Sequence, residues 1–169
     1  MSLDQLDISA MRVSNKQLGA CVFTQRAIVV ADGHRRENAS MSTEENKELV
    51  RRFFDERWNH GNIDVYDEML APHLDIKGEK EWARSVYATF GSMRFTILDM
   101  IAEDDRVALH WRIDATHQGD YLGVAATGKQ VTYQGIALLR IAHGKIVEDI
   151  AYWDNLSILQ QLGAAPTSG

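Results

Sequence analysis

One short stretch concentrates side chains able to move a proton. In Ala108-Leu-His-Trp-Arg-Ile-Asp-Ala-Thr116, polar and apolar residues alternate. Successive side chains of an extended strand point to opposite faces. His110, Arg112, Asp114 and Thr116 therefore share one face, and Leu109, Trp111 and Ile113 the other. A guanidinium two residues from a carboxylate makes a charge-assisted pair that holds the acid ionised and fixes its direction. Histidine titrates near neutral pH and suits a base. In a dry pocket, Asp114, Arg112 and His110 would carry general acid/base chemistry. In water the same face is an ordinary solvated strand surface, where the ion pair is worth under about 1 kcal/mol.

Other candidates are scattered. Tyr133 shares a strand face with Gly135 and Ala137 and can bring a phenol into a pocket. Phe54, Trp58, Trp82, Phe90 and Trp153 read as core or pocket wall. Asp75 and Lys77 alternate with Leu74 and Ile76, as a pocket edge or an exposed edge would. His117 reads as a residue that shapes the end of its strand. The six histidines show no ligand spacing such as His-x-x-x-His, so no metal is expected. There is no glycine-rich phosphate loop after a strand and no Ser or Cys in a nucleophile motif. No cofactor is expected.

The elements that must position these residues follow from periodicity. Ser42-Thr-Glu-Glu45 fits a capping box, and Leu49, Val50, Phe53, Phe54 and Trp58 then recur at helical spacing. Asn59-His-Gly-Asn62 ends that helix, with Gly61 suited to a left-handed stop. Asn62 can cap a second short helix carrying Ile63, Tyr66, Met69 and Leu70, which Ala71-Pro72 ends. Residues 73–77 read as a short extended piece and residues 79–90 as a third helix. Strands are expected over 94–102, 106–118, 130–142 and 145–153, with a tight hairpin turn at His143-Gly144. A last helix covers 155–162. Helices first and an antiparallel meander after them is an α+β order. About three helices packed on the concave face of a curved, mostly antiparallel sheet would enclose a cone with an open mouth.

Composition bounds the rest. The chain has 169 residues, 45% hydrophobic and 25% charged, with a formal net charge of -6. That suits one soluble domain with a real core. The longest basic runs are the pairs Arg35-Arg36 and Arg51-Arg52, which argues against nucleic acid as a partner. No apolar run reaches the roughly 20 residues a membrane span needs, and the start of the chain lacks the basic and apolar pattern of a secretory signal. The single cysteine, Cys21, permits no intrachain disulfide, so a cytoplasmic location is the simplest. Three segments are expected: an N-terminal arm over residues 1–40, the main domain over 41–163, and a flexible tail over 164–169. In the arm, residues 21–30 read as an extra strand that could pair with a sheet edge; the alternative is a poorly ordered leader.

Several motifs resemble one family. Asn46-Lys-Glu-Leu-Val-Arg-Arg-Phe-Phe-Asp-Glu-Arg-Trp-Asn-His-Gly-Asn62 and Met69-Leu-Ala-Pro72 resemble the first helices of the SnoaL-like polyketide cyclases. So do Thr116-His-Gln-Gly-Asp-Tyr-Leu-Gly123, Thr127-Gly-Lys129, Gly144-Lys-Ile-Val-Glu148, Trp153-Asp154 and Leu159-Gln-Gln-Leu-Gly163 in the second half. The resemblance covers residues 41–163. It implies the cone-shaped α+β barrel of the nuclear transport factor 2-like superfamily, which also holds ketosteroid isomerases, limonene epoxide hydrolases and non-catalytic binding proteins. It further implies that the cyclase acid/base positions are Ala151 and Ala137, neither of which can move a proton. Arg112-x-Asp114 resembles the Arg-x-Asp pair of the limonene epoxide hydrolases, whose second aspartate would again fall at Ala151. Asp149, two residues earlier and roughly 7 Å along the strand, is a weaker substitute. In those hydrolases the region of Asp75 and Lys77 helps hold the attacking water.

Three functions are open at this stage. One is a cofactor-free cyclase, isomerase or epoxide hydrolase acting on a small apolar organic molecule. The second is a non-catalytic ligand-binding protein with the same pocket, lined by Phe54, Trp58, Asp75, Trp82, Tyr133, Ala137, Ala151 and Trp153. The third is a dimerisation module, since the superfamily commonly forms homodimers through the sheet. A cavity under about 300 Å³ would favour a structural role.

Overall fold

The computed structural model describes residues 41–164 and the backbone of residues 23–28. The rest of the expected arm, with Cys21, and residues 165–169 of the expected tail lie outside the described residues. The first helix, α1 (Thr43–Trp58), begins on a complete capping box. The Glu45 amide donates to the Ser42 hydroxyl at 3.2 Å, and the Ser42 amide donates to the Glu45 carboxylate at 2.7 Å. Val50, Phe53, Phe54 and Trp58 form its buried face. Gly61 takes a left-handed φ of 67° just beyond the helix. Asn59 then fastens the helix end to the sheet. Its side chain accepts from the Phe95 amide at 2.8 Å and donates to the Phe95 carbonyl at 3.2 Å.

Several boundaries differ from the sequence reading, among them the start of the first long strand, which begins at Phe90 rather than Arg94. Helix α2 (Val65–Met69) has Asp64, not Asn62, at its N-cap. The Asn62 side chain instead accepts from the Asp64 amide at 3.1 Å, which builds the turn before the helix. Residues 76 and 77 are also not extended, because α3 (Ile76–Thr89) starts there. Asp75 is its N-cap, accepting from the Gly78 amide at 3.0 Å. A short acidic side chain that satisfies a free amide outweighs the strand-like alternation around it.

Four strands follow: β2 (Phe90–Glu103), β3 (Arg106–His117), β4 (Gln130–Ala142) and β5 (Lys145–Asp154). They form an antiparallel meander, and β1 (Phe23–Ile28) pairs antiparallel with β5 at the outer edge, giving the order β1-β5-β4-β3-β2. Register shifts interrupt the β2–β3 ladder twice and the β4–β5 ladder once. Such irregularities bend the strands and sharpen their twist, which wraps the sheet around α1 and α3. His143 and Gly144 close the β4–β5 hairpin, both with positive φ. Helix α4 (Asn155–Leu162) follows β5 directly, capped by the Asp154 carboxylate on the Ser157 amide at 2.9 Å.

Burial alternates strictly along the centre of the sheet. Val107, Leu109, Trp111, Ile113 and Ala115 of β3 are buried, and their neighbours between are not. The same holds for Val131, Tyr133, Ala137 and Leu139 of β4. The concave face is therefore apolar and meets α1 and α3, while the convex face carries the intervening residues. No helix of the described residues is long and apolar enough to cross a membrane.

Candidate functional site

The concave face, α1 and α3 do not close completely on one another. They leave a cavity of about 190 Å³ that opens to the surface. Phe54 and Trp58 come to its wall from α1, Trp82 and Val86 from α3, Phe90 and Phe95 from β2. The floor is Trp111, Ile113, Tyr133, Ala151 and Trp153, and Tyr121 enters from the β3–β4 connection. Several of the rings lie edge to face, as between Trp58 and Trp82 at 5.5 Å and between Trp111 and Tyr133 at 6.1 Å. That is a favoured arrangement for aromatic quadrupoles. Gly135 has a special part in this floor. A β-carbon there would fall well inside contact distance of the Trp111 ring and the Tyr152 carbonyl. Only a residue without a side chain lets Trp111 lie across β4.

The volume bears on what could enter. It is below the roughly 300 Å³ of sites for drug-sized ligands, which on the size criterion set by the sequence reading counts toward a structural role, and a large molecule cannot be enclosed. It exceeds the roughly 150 Å³ apolar cavity that accepts benzene. A single ring with a small substituent fits, and a larger molecule would protrude through the mouth.

Polar groups in the wall are few and mostly donors. Tyr133 is pushed upward from the ordinary phenol range by burial, and Tyr121 is also raised by burial. Both therefore stay neutral at physiological pH. The Tyr121 hydroxyl donates to the Asn155 side-chain oxygen. Ser85 and Thr89 also line the wall, but their hydroxyls donate to the Trp82 and Asp120 carbonyls. The Trp111 indole N–H is buried and has no acceptor.

The residue of greatest chemical interest is Arg57, which also lines the cavity. It is only 4% exposed. Its guanidinium lies 4.5 Å from the Phe54 ring centre, 4.6 Å from Trp58 and 4.8 Å from Phe53, with Tyr66 and Trp82 within 6 Å. Such desolvated cation–π contacts are among the stronger of their kind. Its Nη1 is 3.5 Å from an Asp149 carboxylate oxygen, yet Nε and Nη1 have no hydrogen-bond acceptor. Sequence reasoning passed over Arg57. The available signal was its phase: it falls on the stripe of Val50, Phe53, Phe54 and Trp58, where a charge is out of place.

The candidates from the sequence separate into two groups. Phe54, Trp58, Trp82, Tyr133, Ala151 and Trp153 line the cavity. Ala137 is fully buried and opposite Ala151 in the ladder. Asp149 is buried beside Arg57 and is not among the lining residues. His110, Arg112 and Asp114 are corrected: they lie on the convex face, away from the cavity. The Arg112 and Asp114 side chains, 3.1 Å apart, are 40% and 38% exposed. Thr132 donates to the other Asp114 oxygen at 2.8 Å, and exposed His110 pairs with Gln134 at 2.6 Å. The alternation was read correctly, but the sheet turns Trp111 and Ile113 inward because burying them is favourable and burying an ion pair is not. Asp75 is also corrected: it is exposed and caps α3, and neither it nor Lys77 reaches the cavity. His117 is fully buried at the end of β3, where Nδ1 accepts from the Thr127 amide at 3.3 Å. Among the described residues, no group of three His, Cys, Asp or Glu side chains converges as metal ligands would.

The comparisons with known proteins agree with this architecture. AclR, a proposed hydroxylase from Streptomyces galilaeus, superposes with a TM-score of 0.69 at 26% identity, over 76% of this chain and 91% of that one. A proposed polyketide cyclase from Acidithiobacillus ferrooxidans does so with a TM-score of 0.65 at 30% identity, over 75% and 100%. A proposed SnoaL-like polyketide cyclase from Jannaschia gives a TM-score of 0.67 at 24% identity, over 79% and 100%. A search of curated proteins finds no significant match. The model of one family, described as SnoaL-like polyketide cyclase, matches residues 48–162, and with the curved sheet and its concave cavity this places the chain in that family.

Proposed function

We propose that this protein binds a small, mostly apolar organic molecule, one ring or the ring-bearing end of a longer molecule, in the cavity of its concave face. One observation carries the reading: a wall of aromatic side chains surrounds a cavity of about 190 Å³ that reaches the surface. Burying an apolar ring there is favourable by roughly 25 cal/mol for each Å² removed from water. Cofactor-free cyclase, isomerase or hydrolase chemistry is a finer reading that this wall supports less well. General acid/base catalysis needs a group that exchanges a proton near neutral pH, and none of the lining residues is Asp, Glu or His.

Calorimetric titration with toluene tests the binding reading. The parent protein should bind, and Ala151→Leu, which fills the floor, should weaken binding at least about tenfold. Asp114→Asn on the convex face should leave it unchanged. Equal affinity in the parent and Ala151→Leu would remove the cavity as the binding site.

We further propose that the partner on the convex face is a second copy of this chain. Ile136 and Tyr152 are neighbours across β4 and β5 and are 58% and 42% exposed. Two exposed apolar side chains facing the same way across a ladder support this reading, since adjoining apolar surface favours association. Analytical sedimentation should show a dimer that Ile136→Lys converts to monomer; a monomeric parent would remove the proposal.

A further inference from the structure

We propose that residues 120–126 form a flap that controls entry to the cavity, held shut by the hydroxyl of Tyr121. The inference rests on the reading that the cavity takes a small molecule, and it adds how that molecule gets in and out.

The flap lies at the rim. Of the lining residues, Phe54, Trp111 and Tyr133 are buried and mark the inner end. Ser85, Thr89, Tyr121 and Trp153 keep some exposure and mark the mouth.

Both ends of the flap are fixed. The Gln118 and Gly119 amides donate to the Thr89 carbonyl at 2.9 and 3.1 Å. At the other end the Gly128 amide donates to the His117 carbonyl at 2.9 Å, and the Thr127 amide donates to Nδ1 of His117 at 3.3 Å. Between these points the chain is bonded mainly to itself. Tyr121 and Val124 exchange both backbone hydrogen bonds at 2.9 Å, around Leu122 and Gly123 with φ of 52° and 86°. Positive φ at both central residues is the tight two-residue hairpin turn, so the tip moves as one unit. Leu122 at that tip is 65% exposed. Among the described residues, no backbone hydrogen bond joins residues 120–126 to the rest of the protein.

Side chains tie the flap down instead. The Tyr121 hydroxyl donates to the Asn155 side-chain oxygen and accepts from the Trp153 indole. Thr89 donates to the Asp120 carbonyl at 3.2 Å. The Tyr121 ring meets Phe90 edge to face at 5.1 Å. A segment with exposed backbone and few ties opens at far lower cost than the domain unfolds. Swinging outward takes Tyr121 out of the cavity wall and widens the mouth. The latch is made in the free and in the occupied protein alike, so it slows entry and exit together and leaves the affinity unchanged.

Stopped-flow mixing with toluene, followed by tryptophan fluorescence, tests this, with calorimetry giving the Kd. All four tryptophans of the chain, Trp58, Trp82, Trp111 and Trp153, line the cavity. Tyr121→Phe keeps the ring and removes the latch. Its association and dissociation rates should each rise about tenfold, the range expected for the loss of one or two hydrogen bonds, while the Kd stays within about twofold. Thr89→Val removes the other tie and should raise both rates in the same way, which carries the test if Tyr121→Phe does not fold. Asp114→Asn on the convex face should keep the parent's rates. Parental rates in folded Tyr121→Phe overturn the inference and leave the cavity reading standing. Faster dissociation with unchanged association, and so a weaker Kd, also overturns it, because Tyr121 is then wall and not gate. If the parent does not bind toluene, the cavity reading falls and the inference with it.

Discussion

Asp149→Ala is expected to lose about 3–5 kcal/mol of folding stability, the cost typical of removing one partner from a buried ion pair. The physical reason is the state of the partner left behind. Arg57 is 4% exposed and ringed by Phe53, Phe54, Trp58, Tyr66 and Trp82. Arginine does not lose its proton in proteins, so without Asp149 a full positive charge stays in an aromatic enclosure. The double variant Arg57→Met/Asp149→Leu should recover most of the loss, because apolar side chains of similar volume often replace a buried pair at little or no cost. Urea unfolding of the parent, the single variant and the double variant measures both effects. A loss below about 1 kcal/mol in Asp149→Ala would show that the charges are better solvated than their burial implies.

Gly135→Ala is expected to cost about 3 kcal/mol, toward the upper end of overpacking effects, and to weaken ligand binding more than tenfold. The new methyl group would fall inside contact distance of two neighbours, the Trp111 ring and the Tyr152 carbonyl. The carbonyl belongs to the backbone of β5 and cannot swing aside, so the Trp111 ring must move into the cavity it lines. Stability and affinity should therefore fall together. Urea unfolding gives the first, and calorimetry with toluene gives the second. Unchanged affinity in the folded variant would show that Trp111 does not shape the binding site.

Local chemistry made much of the fold legible. The capping box at Ser42 and Glu45, the helical recurrence of Val50, Phe53, Phe54 and Trp58, and the His143-Gly144 turn each act over a few residues, and each forms as its chemistry requires. Errors arose where two local signals competed. Around Asp75 the alternation suggested an extended piece, but the side chain of one residue capped a helix instead. Inward-facing aromatic residues such as Trp82, Tyr133 and Trp153 were also readable, because burying a large aromatic ring is strongly favourable.

The polar site was harder to read. The alternation of β3 was plain, but periodicity says only that two faces differ. Which face meets the helices depends on what α1 and α3 bring to it. They bring aromatic rings, so Trp111 and Ile113 face the cavity, and Arg112 and Asp114 face outward. The opposite happened at Arg57, a charged residue that would ordinarily be assigned to solvent. Its burial depends on Asp149, 92 positions later in the chain (149 − 57). No window of sequence contains both partners. The residues alone thus determined a capped helix, a meander of alternating strands and an apolar interior, because those rest on contacts between near neighbours. Folding decided which charge lies at the cavity wall, because burying a charge becomes tolerable only when a distant chain segment supplies its counterion.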